Sequence, residues 1–136
     1  MPVGDENERW EWMQWEVGQL KRAAPMGVVP RALGLQLRFC GGPHRPSSVP
    51  ETFVVWRGVV ARVGRNERAH LRLFDDSRGA DEQGVSSSHA TLECRDGRLF
   101  VRDLSTNGTR INGRLYQRGG AFAAPGSMLI FGASGQ

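Results

Sequence analysis

The sequence predicts an all-β sandwich or barrel preceded by one short helix. Three observations carry that prediction. Eighteen glycines and seven prolines among 136 residues require many turns, which favours short strands over long helices. From residue 33 onward, apolar residues either alternate with polar ones or gather in runs of a few residues. Turn signals separate these runs and no helical period interleaves with them, which excludes an alternating α/β layout. The length suits one domain with a short appendage, divided here into residues 1–32 as helix and linker and 33–136 as the β domain.

The helix is read over residues 5–22. Asp5, Glu6, Glu8 and Glu11 gather at its start and Lys21-Arg22 close it, the order that complements a helix dipole. Trp10, Met13, Val17 and Leu20 fall within an arc of about 80° at helical spacing, an amphipathic stripe. Trp12 and Trp15 lie on a different side, so the helix packs on its own domain with tryptophans at its margins, or uses them for self-association or a partner. Pro25, Gly27 and Pro30 mark a connector. Then the period becomes two: Leu33, Leu35, Leu37 and Phe39 alternate with smaller or polar residues, a half-buried strand. A long loop with three prolines covers 41–51. Further strands are read over 52–56, 59–63, 70–74, 89–94, 98–104, 109–112 and 127–131. Asp96-Gly97, Asn107-Gly108 and Asn112-Gly113 are turn dipeptides between them.

Composition excludes several functions. No apolar run approaches the roughly 20 residues that cross a bilayer, and the first thirty residues lack a secretory signal's pattern, so an intracellular soluble protein is expected. Cys40 and Cys94 have no ligand spacing around them and are expected as two buried, reduced thiols. No metal or cofactor is expected. The net charge of +4 divides unevenly: residues 1–22 hold five acids and three bases, and residues 23–136 hold nine acids and fifteen bases. The β domain is basic, so its partner is expected to be anionic.

Three segments at strand ends concentrate anion-binding groups: Gly64-Arg65-Asn66, Val85-Ser86-Ser87-Ser88-His89, and Asp103 through Thr109. Loops at one edge of a sandwich converge, so these form one candidate site. Each residue also has an ordinary role open to it. Arg65 is one of seventeen arginines, Ser86 and Thr106 suit turns, and the Asn-Gly pairs suit hairpins.

The order Gly64-Arg65, Ser86-x-x-His89, Asp103-Leu104-Ser105-Thr106-Asn107-Gly108-Thr109 and Asn112-Gly113 resembles the forkhead-associated (FHA) domain. Gly126 through Gly132 is similar to that family's late Gly-Asp-x-Ile-x-x-Gly strand, and the resemblance spans roughly residues 33–132. It implies a β-sandwich of about eleven strands that binds phosphothreonine peptides through loops at one edge and is not an enzyme. It further implies that Arg65 clamps the phosphate, Ser86 adds a hydroxyl hydrogen bond, Thr106 contributes from the facing loop, and Asn107 holds the peptide backbone. Ser87 stands where relatives often carry a longer ligand-contacting arginine or asparagine. Gly64, His89, Gly108 and Asn112 shape the loops, with His89 structural and not a base, and Asp103 holds the loop. Asn66, Arg68 and Arg110 stay open between ligand contact and plain surface.

Three departures qualify the resemblance. Gly84 stands where some relatives place a basic residue that reads an acidic side chain three places beyond the phosphothreonine, so no such selection is expected. The acidic loop over 75–84 is expected to flank the site and disfavour acidic peptides. The family's strand after the last glycine has only Ala133–Gln136 to form it, so it is missing, supplied differently or cut away. Two competing functions are a structural or assembly module working through residues 5–22, and a nucleic-acid binder. The scattered arginines and few strand-borne aromatics disfavour the latter. Ser86 and His89 lack the nucleophile elbow and the cleft of a hydrolase.

Overall fold

Met13, Trp15 and Val17 are buried while Gln14, Glu16 and Gly18 between them are not, a period of two that makes this stretch a strand. The computed structural model describes residues 13–20, 34–41, 45–74 and 84–132. Eleven strands run in chain order: β1 Gln14–Gln19, β2 Gly34–Phe39, β3 Thr52–Trp56, β4 Ala61–Gly64, β5 Leu71–Arg72, β6 Ala90–Arg95, β7 Arg98–Asp103, β8 Thr109–Ile111, β9 Arg114–Tyr116, β10 Gly120–Ala123 and β11 Met128–Phe131. They form a six-stranded sheet, β3-β2-β1-β11-β8-β9, and a five-stranded sheet, β10-β7-β6-β4-β5. Among the described strands only β4 and β5 form a parallel ladder. No described helix is long and apolar enough to cross a membrane.

The helix expected over 5–22 is corrected: its middle is β1, paired with β2 through Val17↔Leu37 and with β11 through Trp15↔Leu129. The reason is packing. A strand directs Met13, Trp15 and Val17 together into the core, which the helical stripe would have split, and Trp15 meets Phe39 edge-on at 5.2 Å. Residues 5–12, 21 and 22 lie outside the described residues. Because β11 pairs with β1 on one side and β8 on the other, neither of its edges waits for a strand after Gly132. Residues 133–136 also lie outside the described ones.

Smaller differences have local causes. β9 and β10 were not expected; each is short and mostly exposed, and is held by pairing to β8 and β7. The run 59–63 starts its strand only at Ala61, because a turn closed by the Val59 amide on the Trp56 carbonyl leaves Val59 and Val60 outside the core. Both cysteines are free thiols, but only Cys94 is buried. Cys40 follows the last residue of β2 and is half-exposed, and its partial burial still raises its thiol pKa. The core lies between the sheets and joins Trp15, Leu35 and Phe131 from one to Leu92, Leu99 and Val101 from the other.

Candidate functional site

Strand order places the site. In the second sheet β7, β6 and β4 are neighbours, with β6 antiparallel to both. The C-terminal end of β4, the N-terminal end of β6 and the C-terminal end of β7 therefore meet at one edge. Gly64–Asn66, Ser86–His89 and Asp103–Gly108 are the residues at those ends. Phe131 and Thr109, paired in the first sheet, reach the same edge, where the Gly132 amide lies 3.2 Å from the His89 ring.

Main-chain hydrogen bonds lock the three segments together. The amides of Arg65 and Asn66 donate to the carbonyls of Ser86 and Ser87 at 3.1 Å each, and the His89 amide donates to the Val63 carbonyl at 2.8 Å. The approach is so close that only glycine fits at 64: an added Cβ would sit 2.1 Å from the Ser87 carbonyl oxygen. The half-buried Arg65 donates from Nε to the Val85 carbonyl and pairs with no described carboxylate. Its Nη1 and Nη2 donors have no partner among the described residues.

Ser86 joins the second segment to the third. Its Oγ accepts the Thr106 amide at 3.1 Å, which leaves the hydroxyl proton to donate outward. Its amide donates to His89 Nδ1 at 3.0 Å. His89 is fully buried, and burial lowers its pKa to about 4 against the opposing pull of Asp103 and the Gly108 carbonyl. The ring is therefore neutral, with Nδ1 as acceptor and Nε2–H donating to the Gly108 carbonyl at 3.0 Å. Its 3.9 Å approach to Asp103 is then no ion pair. Because Nδ1 takes the Ser86 amide and not its hydroxyl, the two do not form a nucleophile and base.

Asp103 organises the third segment. Oδ1 accepts the hydroxyls of Ser105 and Thr109 at 2.7 Å each, and Oδ2 accepts the amides of Ser105 and Arg118 at 3.2 and 3.0 Å. Four donors satisfy a carboxylate that is 1% exposed. Ser105 Oγ in turn accepts the Gly108 amide at 2.7 Å, and Gly108 turns the chain at φ +92 where a Cβ would strike Leu115. This frame exposes Thr106, while the half-buried Asn107 donates from Nδ2 to the Gly84 carbonyl at 3.1 Å.

Gly64, Arg65, Ser86, Ser87, His89, Thr106, Asn107 and Gly108 thus share one edge. Asn112 does not join them. It turns the β8–β9 hairpin at φ 51 and binds Ser127 and Met128, at the end of β8 remote from Thr109. Arg110 lies within β8, with its Nη1 on the Gly113 carbonyl. Two residues of the frame had no assigned role, the buried Ser105 and Thr109. The signal was present in the Asp-x-Ser spacing, which favours a side chain bonding to backbone two residues on. Among the described residues no group of three or more His, Cys, Asp and Glu side chains is placed to hold a metal ion.

A family model for the FHA domain matches residues 61–132. Among solved structures the chain is similar to the FHA domain of the CT664 protein from Chlamydia trachomatis, at 22% identity, covering 59% of this chain and 80% of that one, with a TM-score of 0.45. It is also similar to the N-terminal FHA domain of Rad53p from S. cerevisiae, solved in complex with a phosphothreonine peptide, at 25% identity, covering 54% and 67%, with a TM-score of 0.41. No curated protein matches it. The matched segment is more than half of the chain and holds every loop that meets at this edge, and on that match the chain belongs to the forkhead-associated family.

Proposed function

We propose that this chain is a phosphothreonine-dependent peptide-binding module that docks onto a partner protein carrying that modification. The observation that carries the reading is the junction at Ser86, whose carbonyl takes the Arg65 amide and whose hydroxyl oxygen takes the Thr106 amide. A permanent cation, an outward hydroxyl proton and a second hydroxyl are thereby gathered at one edge. A tetrahedral dianion uses that set: Arg65 offers charge and paired donors, and Ser86 and Thr106 bind further oxygens. Asn107 keeps its amide oxygen and one N–H for an extended peptide backbone, and Ser87 adds a short hydroxyl beside it. One charge-assisted cluster with backbone contacts corresponds to micromolar affinity, about −7 to −8 kcal/mol. No chemistry is assigned to the site, since neither Ser86 nor His89 is activated.

The partner is identified by pull-down with wild-type and Arg65→Ala protein from extracts before and after phosphatase treatment. The reading expects captured proteins that disappear with either change. Capture that survives both would replace it with a phosphate-independent interaction.

A further inference from the structure

Next to the Arg65 edge a cleft of about 210 Å³ opens, sharing Asn66 and Ser87 with it. Its lining includes two cations, Arg62 and Arg68, beside the small apolar surface of Ala69 and the exposed Leu104. Both arginines are held to one turn. The Asn66 carbonyl takes the Ala69 amide at 3.0 Å, Asn66 Oδ1 takes the Arg68 amide at 2.9 Å, and Arg62 Nη2 donates to the Arg68 carbonyl at 3.2 Å. Neither pairs with a described carboxylate. Both residues thus bring positive charge to the lining of one small concavity, and an anion entering it is attracted by each. At Gly84, where Asn107 spans to the loop carbonyl, the residue itself brings no charge.

We propose that this cleft is a second anion subsite, taking one anionic side chain of the same peptide on the flank of the phosphothreonine that passes Ser87. The inference rests on the phosphothreonine reading of Arg65. The ligand chemistry is an anionic oxygen group, either the carboxylate of aspartate or glutamate or the phosphate of a second modified residue. Arg62 and Arg68 bind the charge, and Leu104 and Ala69 cover the methylene stem that carries it. Selection for an anion is therefore one-sided: it is placed on the flank at Ser87, and Gly84 itself contributes none on the other.

The test uses the full chain and phosphothreonine peptides with alanine flanks, into which one glutamate or one phosphoserine is moved through each flanking position. The expected result is a gain of about fivefold at a position on one flank only. That gain is lost in Arg62→Ala/Arg68→Ala, while the affinity for the alanine-flanked peptide is unchanged. A gain equal for glutamate and phosphoserine assigns the subsite to carboxylates, and a larger one for phosphoserine assigns it to a second phosphorylation. No gain at any position, or a gain that survives in the double variant, overturns the subsite alone. Failure of the wild-type chain to bind the alanine-flanked peptide overturns the subsite and the phosphothreonine reading together.

Discussion

At His89 a buried, neutral imidazole replaces what would otherwise be several loose loop ends. It accepts the Ser86 amide and donates to the Gly108 carbonyl, so one ring bonds to two of the three segments that form the edge. This arrangement depends on the proton being absent from Nδ1. The folded-state pKa of about 4 lies below the ordinary 6.5, so between those values the unfolded chain binds a proton that the folded chain refuses. Stability therefore falls as the pH drops through that window, by up to about 3 kcal/mol, and this contribution falls no further below it. Urea unfolding at pH 7 and at pH 4.5 measures the loss, and an NMR titration of the His89 ring should show it uncharged above about pH 5. A ring that titrates near its ordinary value in the folded protein contradicts the assignment. Gly64 makes a second prediction. Gly64→Ala drives a methyl into the Ser87 carbonyl, and is expected to cost about 1–3 kcal/mol in denaturant unfolding and to weaken phosphopeptide binding with it. An alanine variant with unchanged stability would show that the Ser86–Ser88 segment moves freely.

Among the elements, β1 decides how the N-terminal part of the chain is used. Trp15 is fully buried, lies edge-on to Phe39 and belongs to the strand between β2 and β11, so Trp15→Ala is expected to destabilise the fold by about 3–5 kcal/mol in denaturant unfolding. A loss below about 1 kcal/mol would mean that β1 is not part of the core. Removing residues 1–22 consequently takes out a central strand, and cannot separate assembly from peptide binding. The same segment shows the limit of reading periodicity. Met13 and Val17 satisfy both a helical stripe with Trp10 and Leu20 and a strand with Trp15, and only the vacant place between β2 and β11 decides for the strand. β9 and β10 escaped for a related reason: Arg114–Tyr116 and Gly120–Ala123 are too short and too exposed to show a pattern without their partners. The residues at the Arg65 edge were legible because their signal is local, in short loop motifs at strand ends. The Arg62–Arg68 cleft was not, since Arg62 meets Thr91 only through the register of β4 on β6.

Over the whole molecule the arginines differ in what surrounds them. Arg95 lies 4.3 Å from the Phe100 ring centroid and Arg98 lies 4.1 Å from that of Phe122, so these arginines cover aromatic surface on the second sheet. Arg38 pairs with Glu16 and Arg95 with Glu93 at the surface. Arg65 is placed differently, at an edge where main-chain bonds hold three segments and no described carboxylate neutralises it. Net charge therefore matters less than position: the basic balance favours approach of an anionic ligand, and in the proposed role the Arg65 guanidinium holds its phosphate. The direct test is calorimetric titration of one peptide in its phosphothreonine and unmodified forms against the wild-type chain and Arg65→Ala. The expected result is micromolar binding of the phosphorylated peptide to the wild type, no binding of the unmodified one, and at least about a tenfold loss in the variant with its fold retained. Equal binding of the two peptides, or undiminished affinity in Arg65→Ala, would contradict it.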